Sequence, residues 1–285
     1  MFQLANSFDM HMHTTASDGS DSVPALLEVL RQAGITTFSV TDHDTVDGTM
    51  EMLGLVPPGM RFVPGIEFSC LSPAGRCHIL GYGFDPGHPD FQQALREGDR
   101  LRREKREKRI RYLRETFGIC LTQDETAWLR SLQSPGKPHI GGLILKRGLA
   151  PDLSGAIRTY IAPCDGGPDR IQASLAVAAI AASGGIPVWA HPLGGEGERH
   201  LSEPEFHRLL SHLLSCGIRG LECFYSRYEP EEISFLRDQA RRWGLLVSAG
   251  SDYHGTHKKN IHPGKLNARD LPVDPRQVTL LSRLF

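Results

Sequence analysis

Hydrophobic and polar positions change period several times along the chain, and each change predicts an element. Near the N-terminus Phe8, Met10 and Met12 alternate with Asp9, His11 and His13, a period of two that predicts a strand. Residues two apart on a strand share a face, so His11 and His13 point the same way. Val23, Leu26, Leu27 and Leu30 then recur at helical spacing, predicting a helix over 22–33 with Ser22 as N-cap and Gly34 as stop. β-rich runs follow. Positions 36–41 lead into Asp42-His43-Asp44, 62–66 deliver Glu67, and 77–82 form a short strand bearing His78.

The pattern changes between about 91 and 168. Positions 96–114 hold ten Lys or Arg against four Asp or Glu, with sparse apolar residues at Leu101, Ile110 and Leu113. That composition suits a largely solvated helix, which Gly118 ends. Shorter helical pieces are expected at 124–132, 140–147 and 153–161, separated by Pro and Gly. The segment reads as a helical insertion.

Alternation of strand and helix then resumes. An apolar helix over 171–182 precedes a strand over 186–190 that ends in His191-Pro192. Helices over 203–216 and 230–243 alternate with strands over 220–224 and 245–249, the last followed by Gly250-Ser251-Asp252-Tyr253-His254. Such a rhythm predicts parallel pairing and βαβ units. In a parallel barrel the carboxyl ends of the strands converge on one face, where barrel enzymes place their sites. The domains expected are a discontinuous barrel, 1–90 with 171–285, and the insertion, 91–170.

Composition narrows the class. The chain has 285 residues, a net charge of −1 and 40% hydrophobic residues, which fits a globular protein with a sizeable core. Near-neutral charge argues against whole-surface attraction to nucleic acid or an anionic membrane. No apolar run approaches the roughly 18 residues of a membrane span, and no secretion signal precedes the first strand, so a cytoplasmic location is expected. The six cysteines show no Cys-x-x-Cys spacing and are expected to be reduced core residues.

His11, His13, Asp18, His43, Glu67, His78, His191, Asp252 and His254 all fall at predicted strand ends or the turns after them. Six imidazoles and three carboxylates exceed what one tetrahedral ion needs, which suggests two or three metals sharing ligands. Imidazole with carboxylate suits Mn, Fe or Zn.

These stretches resemble the PHP (polymerase and histidinol phosphatase) family. The resemblance lies in His11-x-His13, Ser17-Asp18-Gly19, Thr41-Asp42-His43-Asp44, Gly65-Ile66-Glu67, His78-Ile79-Leu80-Gly81-Tyr82, Ala190-His191-Pro192 and Gly250-Ser251-Asp252-Tyr253-His254-Gly255. It implies an α/β fold, a distorted (β/α)7 TIM-like barrel with a trinuclear metal centre. One metal would take His11, His13, Glu67 and Asp252; a second would share Glu67 and add His78 and His191; a third would take Asp18, His43 and His254.

Within the family the chain is similar to nucleotide phosphatases and 5′-exoribonucleases, which carry a helical insertion at the same place. Their Arg-Pro-His-Ile-Ala-Arg motif corresponds to Lys137-Pro138-His139-Ile140-Gly141-Gly142 here, with Lys137 and Gly142 where arginines are usual. Glu222-Cys223-Phe224-Tyr225-Ser226 is similar to the family's Glu-x-Tyr-Tyr-Ser, and Tyr228 stands where His is common. The resemblance makes Lys137, His139, Arg106, Arg109 and Tyr225 candidates for substrate binding. Asp44 and His139 are candidate catalytic groups. Asp42 and Asp44 could instead orient the imidazoles around them.

The expected activity is metal-dependent hydrolysis of a phosphate ester on a nucleotide or short oligonucleotide, either a 5′-nucleotide or a 3′,5′-bisphosphate. Divalent metals hold phosphate oxygens and lower the pKa of a bound water from about 15.7 toward about 7, so that hydroxide attacks at neutral pH. The expected partner is a phosphorylated small molecule, with no membrane and no obligate protein partner. Histidinol-phosphate phosphatase is the nearest alternative. A non-catalytic or proofreading module and a metal-dependent amidohydrolase are alternatives of other kinds.

Overall fold

In the computed structural model, which describes residues 7–132, 136–164, 167–196 and 198–285, the alternating N-terminal stretch forms only a two-residue strand, β1 (Phe8–Asp9). Phe8, Met10 and Met12 are buried, and so are Asp9, His11 and His13. The alternation separates an apolar side from a polar side that is equally hidden from water. The chain continues through α1 (Val23–Gln32), β2 (Thr37–Val40), α2 (Asp47–Leu53), β3 (Arg61–Ser72) and β4 (Gly75–Tyr82). Four helices follow, α3 (Pro89–Phe117), α4 (Gln123–Ser131), α5 (Lys137–Lys146) and α6 (Leu153–Ala156). Then come β5 (Ile171–Gln172), α7 (Ala173–Ala182), β6 (Ile186–Trp189), α8 (Glu203–Cys216) and β7 (Gly220–Tyr225). The chain ends through α9 (Pro230–Trp243), β8 (Leu246–Gly250) and α10 (Thr279–Leu284).

One eight-stranded sheet carries the fold, with its main path in the order β1-β2-β3-β4-β6-β7-β8. β1 with β2, β2 with β3, β6 with β7 and β7 with β8 pair in parallel. β4 breaks the expected all-parallel pattern, running antiparallel to both β3 and β6. Ser72 faces Gly75 across the two-residue turn Pro73-Ala74, a connection far too short for the crossover that parallel strands require. The two ends of the path approach each other. Met12 bridges Tyr253 in parallel, Met10 N–H donates to the Ala249 carbonyl at 3.2 Å, and Asp252 N–H donates to the His11 carbonyl at 2.8 Å. The result is a nearly closed, seven-stranded α/β barrel with helical insertions.

The chain divides into two compact units, Met1–Leu95 with Gln172–Phe285, and Arg96–Ile171. In the first, Met10, Val63, Leu80, Tyr82 and Val188 form a buried cluster, and the Tyr82 hydroxyl donates to the Met10 carbonyl at 2.9 Å. A second cluster joins Leu26 and Leu30 of α1 to Phe38 and Met52. Truncating a buried Leu such as Leu26 to Ala would cost about 2–5 kcal/mol. Ser22 caps α1 through its side chain, which accepts from Ala25 N–H, and Gly34 with φ +71° follows the helix.

The second unit has its own core, in which Leu113 of α3 packs with Leu129, Ile140, Ile144 and Ile161. Its basic stretch differs from the solvated face expected, because Arg106 and Arg109 are buried. Carboxylates within the unit offset the charge. Arg106 Nε lies 3.3 Å from Glu107, Arg109 lies 3.9 Å from Asp169, and Lys105 pairs with Asp169 at 2.9 Å. The cysteines are all free as expected, but only Cys70, Cys77 and Cys223 are buried, and Cys120 is exposed. Among the described residues, no helix is long and apolar enough to cross a membrane.

Candidate metal centre

Glu67 lies at the middle of this site. Its strand runs on to Ser72, so Glu67 sits inside β3 rather than at its end. Oε2 lies 3.2 Å from His11 Nε2, 3.2 Å from His13 Nε2 and 3.1 Å from His43 Nδ1. Oε1 lies 3.0 Å from His78 Nδ1 and 3.1 Å from His191 Nε2. Each oxygen thus serves a different group of imidazoles. His78 reaches this place because β4 is antiparallel, so the start of β4 lies level with the carboxyl ends of its neighbours.

Asp252 and Asp18 complete the set. Asp252 Oδ1 lies 3.5 Å from His11 Nε2 and 3.3 Å from His13 Nε2, and Asp18 Oδ1 lies 3.2 Å from His254 Nε2. Three groups could each hold an ion: His11, His13, Glu67 and Asp252; His13, Asp18, His43 and His254; and His43, Glu67 and His78. They overlap at His13, His43 and Glu67, whereas the family resemblance assigns His13 and His43 to one metal each.

The donor set fits cations on two physical grounds. Among the described residues, buried His13 Nδ1, His43 Nδ1 and Glu67 Oε2 find no hydrogen-bond partner, a costly condition that a bound cation would relieve. The carboxylates are also held ionised. Burial favours a neutral Glu67, but the imidazoles packed around it keep it well below the usual carboxylate range. Asp252 is likewise held down against burial by His11 and Lys258. Burial pushes His43 down to about 3, leaving a neutral imidazole whose lone pair can bind metal.

Backbone geometry concentrates here too. Asp44, His191 and Asp252 have φ of +56°, +27° and +60°, a region that non-glycine residues enter at a cost and that clusters at functional sites. Close approach also demands one glycine. A Cβ on Gly250 would lie 2.2 Å from His11 Cβ.

Other candidates have definite places. Asp42 accepts from Thr14 N–H, Thr14 Oγ1 and Ser17 Oγ at 2.8, 2.7 and 2.6 Å, tying down the turn after His13, and among the described residues it holds no imidazole. Asp44 Oδ1 accepts Ser69 N–H at 2.9 Å. Tyr225 is buried; its hydroxyl donates to Asp252 Oδ2 at 3.0 Å and accepts Glu196 N–H at 3.0 Å. Lys137, His139, Arg106 and Arg109 belong to the second unit. There His139 Nδ1 accepts Gly136 N–H at 3.0 Å, at the start of α5.

Sequence reasoning gave no role to several residues that support the centre. Glu222 contacts His11 Nδ1 at 2.9 Å and accepts His191 N–H at 2.7 Å. A lone carboxylate in the wholly buried strand β7 was the signal for it. Lys258 Nζ lies 2.6 Å from Asp252 Oδ2, and nothing in its local sequence marks it. Asp9, pushed up to about 6 by burial, accepts backbone N–H groups from His11, Ser251 and Gly264. His257 is exposed, yet its ring bonds the Asp18 carbonyl at 2.9 Å.

No family model matches the chain. It is 29% identical over 273 residues to a phosphoribosyl 1,2-cyclic phosphate 1,2-diphosphodiesterase of Eggerthella lenta, covering 90% of this chain and 97% of that protein. It is 28% identical to a 3′,5′-nucleoside bisphosphate phosphatase of Chromobacterium violaceum (94% and 93% covered) and 27% identical to the 5′-3′ exoribonuclease Rnm of Escherichia coli (87% and 85% covered). The solved structure of a proposed metal-dependent phosphoesterase from Bifidobacterium adolescentis superposes with a TM-score of 0.72 at 24% identity, covering 95% of this chain and 94% of that one. The chain shares the fold of that proposed metal-dependent phosphoesterase, and it brings together groups of His, Asp and Glu that could hold a metal ion.

Proposed function

We propose that the chain hydrolyses a phosphate ester of a nucleotide or short oligonucleotide, at a centre that holds two or three divalent ions. The single observation that carries this reading is the division of Glu67 between two sets of imidazoles, the arrangement one carboxylate needs to serve two cations. His11, His13, Glu67 and Asp252 would hold one ion, and His78 and His191 a second that shares Glu67. Asp18, His43 and His254 would hold the third. Bound there, Mn, Fe or Zn would neutralise phosphate charge and acidify the attacking water.

The protein's own groups divide the remaining work. Tyr225 and Lys258 hold one Asp252 oxygen, leaving Oδ1 turned toward His11 and His13. Asp44, whose Oδ1 accepts Ser69 N–H, is the candidate to move a proton. Lys137, His139, Arg106 and Arg109 are the cationic or neutral donors proposed for substrate phosphate. The substrate class is supported by relatives named for a nucleoside bisphosphate, an RNA and a cyclic ribose phosphate.

The test is a phosphate-release panel with Mn²⁺, comparing nucleoside monophosphates, 3′,5′-bisphosphates, short RNA and histidinol phosphate. Turnover of a nucleotide or oligonucleotide above histidinol phosphate is expected. The reverse order would replace this reading with the histidine-pathway phosphatase.

A further inference from the structure

A cleft of about 470 Å³ opens beside His78 and His191, within the range of small-ligand sites. The β3–β4 turn supplies one wall, which includes Arg76, and α8 supplies another, which includes Arg208. All its lining residues belong to the barrel unit.

The charges in this cleft are unevenly compensated. Arg199 is neutralised by Glu205 through two contacts, at 3.0 and 2.6 Å. Glu198 accepts Gly195 N–H at 3.0 Å and lies 3.8 Å from His191 Nδ1, so its charge is turned to the metal centre. Arg76 and Arg208 are exposed, and among the described residues neither guanidinium has an ion pair. Two unpaired guanidinium forks in one cleft match the planar, multiply accepting oxygens of a phosphate. An apolar ligand would leave both unused. A single phosphate at the metal centre would not need them.

We propose that the cleft is a subsite for a second phosphate of the substrate, held by Arg76 and Arg208 while the scissile ester lies at the metals. This rests on the phosphoesterase reading above and narrows it to esters that carry two phosphate groups. The second group is a terminal phosphate or the next phosphodiester of an oligonucleotide.

The experiment measures kcat/KM with Mn²⁺ for wild type, Arg76→Gln, Arg208→Gln and the double variant. The substrates are a nucleoside 3′,5′-bisphosphate, a 5′-phosphorylated dinucleotide and p-nitrophenyl phosphate. Wild type should prefer the two-phosphate substrates. Each single variant should lower the ratio of two-phosphate to one-phosphate kcat/KM about tenfold, carried in KM, as loss of binding shared by ground and transition states requires. A larger fall for the bisphosphate than the dinucleotide would assign the subsite to a terminal phosphate, and the opposite to a phosphodiester. An unchanged ratio in the double variant would overturn the subsite while leaving the phosphoesterase intact. Failure of wild type on every phosphate ester would overturn the phosphoesterase reading itself.

Discussion

Glu222 Oε1 lies 2.9 Å from His11 Nδ1 at a point where both side chains are fully buried. A carboxylate accepts, so His11 carries a proton on Nδ1, and its Nε2 faces Glu67 and Asp252. The other Glu222 oxygen accepts His191 N–H at 2.7 Å. One carboxylate therefore sets the tautomer of one imidazole and the backbone of another.

Glu222→Gln isolates that dual acceptance. A carboxamide has one accepting atom and one donating group, so it cannot accept from both His11 and His191. Metal affinity should fall by roughly 10–100-fold, the usual cost of losing such an outer partner. Titration of metal-free protein with Mn²⁺ reads this directly. Equal affinity in the variant would count against the tautomer assignment.

Glu67→Gln should release more than one equivalent of metal, because both Glu67 oxygens face imidazole groups. Elemental analysis of the purified variant checks it. Full occupancy would sink the bridging role.

Removing metal should lower stability as well as activity. Ions that bind only the folded chain stabilise it by about 2.7 kcal/mol at a hundred times their Kd. A chelator should therefore abolish turnover and lower Tm, and Mn²⁺ should restore both. A Tm indifferent to metal, measured by calorimetry, would contradict a structural share for the ions.

His139→Ala separates two jobs. If His139 binds phosphate, kcat/KM should fall about tenfold or more, about 1.4 kcal/mol of transition-state stabilisation, with metal content intact. Its bond from Gly136 N–H gives it a second role at the start of α5. Unchanged kinetics with a lowered Tm would leave only that one.

Much of the barrel was legible because its signals are local. α8 and α9 run from Glu203 to Cys216 and from Pro230 to Trp243, the ranges their apolar spacing predicts. Each has Pro at its start and a left-handed Gly at its end. Strand direction is not local: the period of 77–82 is the same whichever way the strand runs. The candidate ligands stood out as polar residues after apolar runs. Lys258 did not, because its link to Asp252 depends on how the loop after β8 folds back. Arg106 and Arg109 were misjudged as solvated for a similar reason, since Asp169 is some 60 residues away in sequence.

The β3–β4 turn acts as a ruler for the metal centre. Ser69 is opposite His78 and Cys70 is opposite Cys77, so histidine and cysteine point to opposite faces of the sheet. One extra residue between Pro73 and Ala74 that slid β4 along β3 would exchange those faces. Cysteine would then enter the cluster, and the imidazole would leave it. Such an insertion should remove His78 from the candidate site without altering any candidate ligand residue, whereas an insertion of two should keep the histidine on the inner face. Turn length in this hairpin thus sets which element, nitrogen or sulfur, is presented beside Glu67.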